Sequence, residues 1–165
     1  MVKIKNKIEN LKIAINPNLE TTDYKLGLNV GNEKNQLTNR SLGMVDRLID
    51  GSINYVSKVV TMERTMQVEK FRYDDPLDYQ QVVTRLDQRR RSAHDSFMAI
   101  LSSVNHLATD YGLEPIYEGS EDRAIQGDFA MELALAYTDD EGLKQKILGK
   151  LVSENRMSNS GLMSL

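Results

Sequence analysis

The residues best placed to do chemistry are charges that fall inside apolar helical stripes. In the run RLDQRRRSAHD, residues 85–95, a helical step of about 100° per residue projects Arg89 between Leu86 and Ala93. Arg90 falls near the edge of that stripe, with His94 beyond it, while Arg91 points the opposite way. In RAIQGDFAMELALAY, residues 123–137, Glu132 lies in the apolar arc of Ile125, Phe129 and Ala136, and Asp128 at its margin. A buried charge must be paired or neutralised, and arginine cannot be neutralised. The pattern therefore predicts a buried polar cluster of Arg89, Arg90, His94, Asp128 and Glu132. Its plainest role is an ion-pair network that fixes helix register. Its functional alternatives are a phosphate or carboxylate pocket, or catalysis.

Other chemistries lack their parts. There is no cysteine, so thiol nucleophiles, disulfides and Cys-based zinc sites are excluded. His94-Asp95 is reminiscent of an HD hydrolase, but no histidine precedes His94. His106 follows twelve residues later, more than three helical turns away, so no metal is expected from the two rings. Asp128 and Glu132 stand one turn apart and could hold magnesium through waters, but no second helix supplies the further acids of a helical nucleotide pyrophosphatase. No glycine-rich phosphate loop and no serine with a base and orienter occurs, and no cofactor is implied. Arg85, Arg89, Arg90 and Arg91 spread around a helix between Asp87 and Asp95, which disfavours nucleic acid as a partner. The net charge of −3 points the same way.

The elements that must carry these residues are helical. From about residue 40, Leu42, Val45, Ile49, Ile53, Val56 and Val60 recur at steps of three and four, extended by Met66 and Phe71, with Thr38 or Ser41 as a cap. Asp75-Pro76 then supplies an N-cap and a first-turn proline. A second stripe runs Val82, Leu86, Ala93, Phe97, Ile100, Val104, Leu107, Tyr111 and stops at Gly112, a left-handed C-terminal position. Two shorter helices are expected near 121–138, apolar nearly all round and hence buried, and near 140–154. The fold class is mainly α: an antiparallel helical bundle with two long helices, about 40–72 and 76–111, plus two shorter ones, preceded by a short β-prone N-terminal arm.

The arm is residues 1–37, the helical domain 38–155 and a flexible tail 156–165. Tyr24, Leu26, Leu28 and Val30 alternate with polar residues or glycine, which predicts a strand over 23–30. Residues 2–15 admit two readings. Leu11, Ile13 and Ile15 alternate as in a strand, whereas Ile4, Ile8, Leu11 and Ile15 make one helical face. The basic N-terminus lacks the apolar core of a signal peptide and no segment is long enough to span a bilayer, so the cytoplasm is the expected location.

Three runs carry a family resemblance: Arg90, Arg91, His94 and Asp95 on the second long helix; Gly112, Pro115, Ile116, Tyr117 and Gly119 in the following loop; and Gly127, Asp128, Phe129 and Ala130 on the next helix. Together they resemble an uncharacterised bacterial and prophage domain family of unknown function. The resemblance spans roughly residues 75–138 and implies a helical fold and a bacterial or phage origin, without a catalytic residue. With no complete catalytic set, the expected function is a non-enzymatic protein-interaction module that acts on a host or phage protein. The alternative is an enzyme or small anionic-ligand binder using the Arg/His/acid cluster. The two long stripes outreach the short helices that must cover them, which predicts a homodimer.

Overall fold

The computed structural model describes residues 2–17, 33–67, 72–117 and 123–153. They form five helices: α1 (Val2–Ile15), α2 (Glu33–Gln67), α3 (Pro76–Asp110), α4 (Arg123–Tyr137) and α5 (Glu141–Ser153). Helix α2 is the hub. It packs against α3, α4 and α1, and α4 also meets α1 and α5.

Local chemistry sets the helix ends. Asp75 has extended backbone and its Oδ1 accepts from the Leu77 N–H at 2.9 Å, with Pro76 opening the first turn of α3. At the other end Gly112 adopts φ +74°. The Leu113 N–H donates to Ala108 O at 2.9 Å and the Gly112 N–H to Thr109 O at 3.0 Å, the paired bonds of a Schellman stop. Asp140 caps α5, its Oδ1 accepting from the Leu143 N–H at 3.1 Å.

The core joins Val45, Leu48, Ser52 and Val56 of α2 to Phe97, Leu101 and Val104 of α3, and to Ala130, Leu133 and Ala134 of α4. On α4 every residue from Phe129 to Leu135 except Glu132 is buried, as its all-round apolar sequence predicts. Burial along α3 is uneven. Ala93, Phe97, Leu101, Val104 and Ala108 are buried, whereas no residue from Pro76 to Ser92 is.

Three expectations change. Residues 2–15 are helix, not β-prone arm. Ile8, Leu11 and Ile15 are buried while Ile13 is 51 % exposed, an arrangement open to a helix and closed to a strand, where Leu11, Ile13 and Ile15 would share a face. The strand expected at 23–30 and the tail at 156–165 lie outside the described residues. Helix α2 begins at Glu33 rather than near 40. Its first turns hold good helix formers, but Leu37 faces solvent, so they add nothing to the apolar stripe, and Ser41 is a buried mid-helix residue instead of a cap. The buried face of α3 turns through Leu101 and Ala108, leaving Ile100 and Leu107 half-buried beside it.

Candidate functional site

The arginines of α3 are organised by Asp87. Arg90 donates through Nη2 at 2.8 Å and Nε at 3.1 Å to Asp87 Oδ1. One residue on, Arg91 Nε lies 2.9 Å from Asp87 Oδ2. Both spacings, three and four residues, place the partners one turn apart on the same helix face. Hydrogen bonding from Arg90 holds the Asp87 carboxyl below its ordinary range, and Asp87 in turn holds the Arg90 proton more firmly.

Helix α2 contributes Tyr55, which interacts with Arg90. Its buried ring meets His94 edge-on at 5.2 Å and stacks parallel to Phe97 at 6.4 Å. The His94 Nδ1 is 3.7 Å from Asp95 Oδ1, and the Asp95 side chain is 85 % exposed. Phe97 continues to Phe129 of α4 at 6.1 Å, and Phe129 stacks on Tyr117 at 4.4 Å. One line of rings, His94–Tyr55–Phe97–Phe129–Tyr117, thus crosses three helices and ends in the loop after α3.

That loop is held by Asn105. Its Oδ1 accepts from the N–H groups of Ile116 and Tyr117 at 2.9 and 3.3 Å, and its Nδ2 donates to Tyr117 O at 2.9 Å. Ile116 is buried in consequence. Beside the loop lies a groove of about 390 Å³ lined by residues that include Met98, Asn105, His106, Pro115 and Tyr117. A second, of about 540 Å³, runs between Arg40 and Met44 of α2 and His106 and Asp110 of α3. His106 forms the shared rim of both grooves.

The expected five-residue cluster is thereby divided. Arg90 and His94 sit together on α3, but Arg90 bonds to Asp87 on its own helix. Arg89 is exposed, not buried in the stripe. Asp128 and Glu132 lie on α4, whose main neighbour is α2 and not α3. Where α3 and α4 meet they do so through the rings of Phe97 and Phe129, while the chief neighbour of α4 is α2. Glu132 is half-buried, and burial, reinforced by the carboxylate of Asp128 one turn earlier, pushes its carboxyl above the ordinary range. Sequence reasoning missed Tyr55, although it follows Leu48 and Ser52 at helical steps of four and three, and passed over Asp87, which the i, i+3 and i, i+4 spacing to Arg90 and Arg91 identifies.

Two further polar contacts bind the smaller helices. The Tyr137 hydroxyl of α4 donates to Glu9 Oε1 of α1 at 2.6 Å, and Lys5 and Lys12 stand 5.7 and 5.3 Å from the Tyr137 ring centre. Burial and the Glu9 carboxylate push the Tyr137 phenol up, so it stays a donor. Lys150 of α5 donates to Glu63 of α2. Among the described residues no three histidine, aspartate or glutamate side chains gather to hold a metal ion, and no helix is long and apolar enough to cross a membrane.

A family model described as protein of unknown function (DUF3232) matches residues 33–134, from the start of α2 through most of α4. The chain belongs to this family. No curated protein and no solved structure matches it.

Proposed function

We propose that this DUF3232 member is a non-enzymatic protein-interaction module that works in the cytoplasm as a homodimer. In this reading it is phage- or prophage-encoded and its further partner is a host or phage protein. The observation that carries the reading is the uneven burial of α3. The helix has 35 residues, about 52 Å, whereas α4 has 15, about 22 Å. The half of α3 from Pro76 to Ser92 holds no buried residue, Leu77 is 66 % exposed, and Val82, Val83 and Leu86 are only half-buried. A long hairpin end of this kind is stabilised by another surface. The paired state of Arg90 and Arg91 supports a structural role for the basic run rather than an anion pocket, because Asp87 already neutralises part of it.

Multi-angle light scattering tests the dimer. A dimeric mass at micromolar concentration, reduced to a monomer by Leu86→Asp, is the expected result. A monomeric mass for the full chain across the micromolar range sinks the proposal. A pull-down from a bacterial host lysate then addresses the second partner, with the Leu86→Asp chain as its control.

A further inference from the structure

The end of the α2/α3 hairpin away from Pro76–Ser92 carries the groove of about 540 Å³. Arg40 of α2 and Asp110 of α3 both line it. Both are exposed, and among the described residues neither side chain takes an ion-pair or hydrogen-bond partner, so the two charges stand farther apart than a salt bridge. Much of the remaining lining is apolar, with Leu37, which is 57 % exposed, Met44 and Leu107. Ser41, also in the lining, is only 3 % exposed, and its hydroxyl has no hydrogen-bond partner among the described residues. A hydroxyl withdrawn from bulk water is costly until it is bonded, and the groove is the side from which a partner reaches it. The two charges define that partner. An anion drawn to Arg40 meets Asp110, and a cation drawn to Asp110 meets Arg40. A molecule that carries both signs around an apolar body satisfies both residues and the apolar wall together.

We propose that this groove binds a short apolar peptide with both termini free, of dipeptide size. Its carboxylate sits on Arg40, its ammonium on Asp110, its side chains on Leu37, Met44 and Leu107, and its peptide unit bonds to the Ser41 hydroxyl. Size favours a dipeptide over a single amino acid. A cavity of about 150 Å³ takes one benzene, and this groove has more than three times that volume. Longer chains gain no second charge contact, because each added residue moves the termini up to about 3.3–3.6 Å further apart. Arginine suits the carboxylate, which its planar fork grips with two parallel hydrogen bonds. The site is separate from the surface on which self-association is proposed. It lies on the first part of α2 and the last part of α3, whereas that surface is Pro76–Ser92, so binding and dimerisation fail independently.

Three peptides test this on the full ¹⁵N-labelled chain: leucyl-leucine, its N-acetyl form, which lacks the ammonium, and its C-terminal amide, which lacks the carboxylate. Amide shifts are followed up to about 10 mM peptide. Leucyl-leucine is expected to shift Ser41, Met44, His106 and Leu107 saturably. Each blocked form is expected to bind about tenfold more weakly, the effect of losing one charged hydrogen-bond contact. Variants then remove the discrimination one terminus at a time. Arg40→Gln binds leucyl-leucine and its amide alike, and Asp110→Asn binds leucyl-leucine and its N-acetyl form alike, each keeping the preference at the other terminus. A full preference for the free carboxylate in Arg40→Gln, or for the free ammonium in Asp110→Asn, overturns the assignment. No shift of these amides at about 10 mM leucyl-leucine, or equal binding of the three peptides to the wild-type chain, overturns the proposal even if neither variant folds.

Discussion

Removing the Asn105 side chain isolates the contact that shapes the loop after α3. Asn105→Ala deletes two bonds at 2.9 Å and one at 3.3 Å, and leaves the N–H of buried Ile116 and the carbonyl of Tyr117 without these partners. A net hydrogen bond contributes about 0.5–1.5 kcal/mol, and leaving a buried group unmade adds to that. Two good bonds and one long one, partly open to water, give a loss of about 2–3 kcal/mol. For a chain of this size each kcal/mol lowers Tm by about 2–4 °C, so the expected drop is about 4–12 °C. Thermal unfolding followed by circular dichroism measures it, and amide hydrogen exchange at Ile116 localises it. Asn105→Asp separates donor from acceptor: it keeps the oxygen facing the two N–H groups and loses the donor to Tyr117 O. It belongs between wild type and alanine at low pH, where the acid is protonated and can donate, and falls towards alanine at neutral pH. An alanine variant that unfolds within a degree of wild type, with Ile116 still protected, refutes the clip.

Three other perturbations follow from the same geometry. The Asp87 carboxyl is held below its unfolded value, so its contribution is present above the unfolded carboxylate range and is lost as pH falls through the depressed folded value; Asp87→Asn removes that acid-side loss, and an unchanged pH profile of Tm counts against the pairing with Arg90 and Arg91. Glu132 is shifted the other way, so the folded state binds its proton more readily and stability rises as pH drops from neutral into the ordinary carboxylate range; Glu132→Gln raises Tm at neutral pH and flattens that rise, and a lower Tm contradicts the desolvation argument. At Gly51 an added methyl meets Phe97 Cδ2 at 3.6 Å and Ile100 Cδ1 at 3.8 Å, ordinary contacts, so Gly51→Ala stabilises α2 by about 0.5–1 kcal/mol in urea titration, and destabilisation shows the two helices to be closer.

What the sequence made legible is what local chemistry decides. Asp75-Pro76 and Gly112 mark the ends of α3 to within a residue, because caps are short-range devices. The all-apolar run of α4 announced its burial. Angular position is not neighbourhood, however. The 100° step placed Glu132 in an apolar arc, and half-burial with a raised carboxyl agrees with that placement. The same arithmetic does not say which helix faces it, and the chief neighbour of α4 is α2 rather than the helix that carries the arginines. For Arg90 the nearer acid was on its own helix, and entropy favours a partner already held one turn away. Residues 2–15 admit both readings because strand and helix share Leu11 and Ile15; Ile8, buried with them, and Ile13, facing solvent, distinguish the two.

The ring line changes what the resemblance positions mean. Tyr117, Phe129 and His94 are three of them, and all three stand in one path of ring contacts with Tyr55 and Phe97. Gly112 turns the chain, and Pro115 and Ile116 carry Tyr117 back onto Phe129. Packing and backbone geometry thus account for these residues without a ligand. Arg91, whose side chain is 70 % exposed, and Asp95, more exposed still, stand outside that account. Both lie on α3 at the end of the ring line, where the covered half of the helix gives way to the uncovered half. Exposed charges at the edge of an uncovered face are available to a partner. On the reading proposed above, the pair borders the uncovered face and supplies polar contacts to the further partner. Asp95→Ala should leave Tm and dimer mass unchanged, and Arg91→Ala should cost no more than its one exposed ion pair with Asp87, while both lower retention of a host or phage protein in the pull-down. A fall in Tm comparable to that of Asn105→Ala would return both residues to the scaffold and leave recognition to the apolar residues alone.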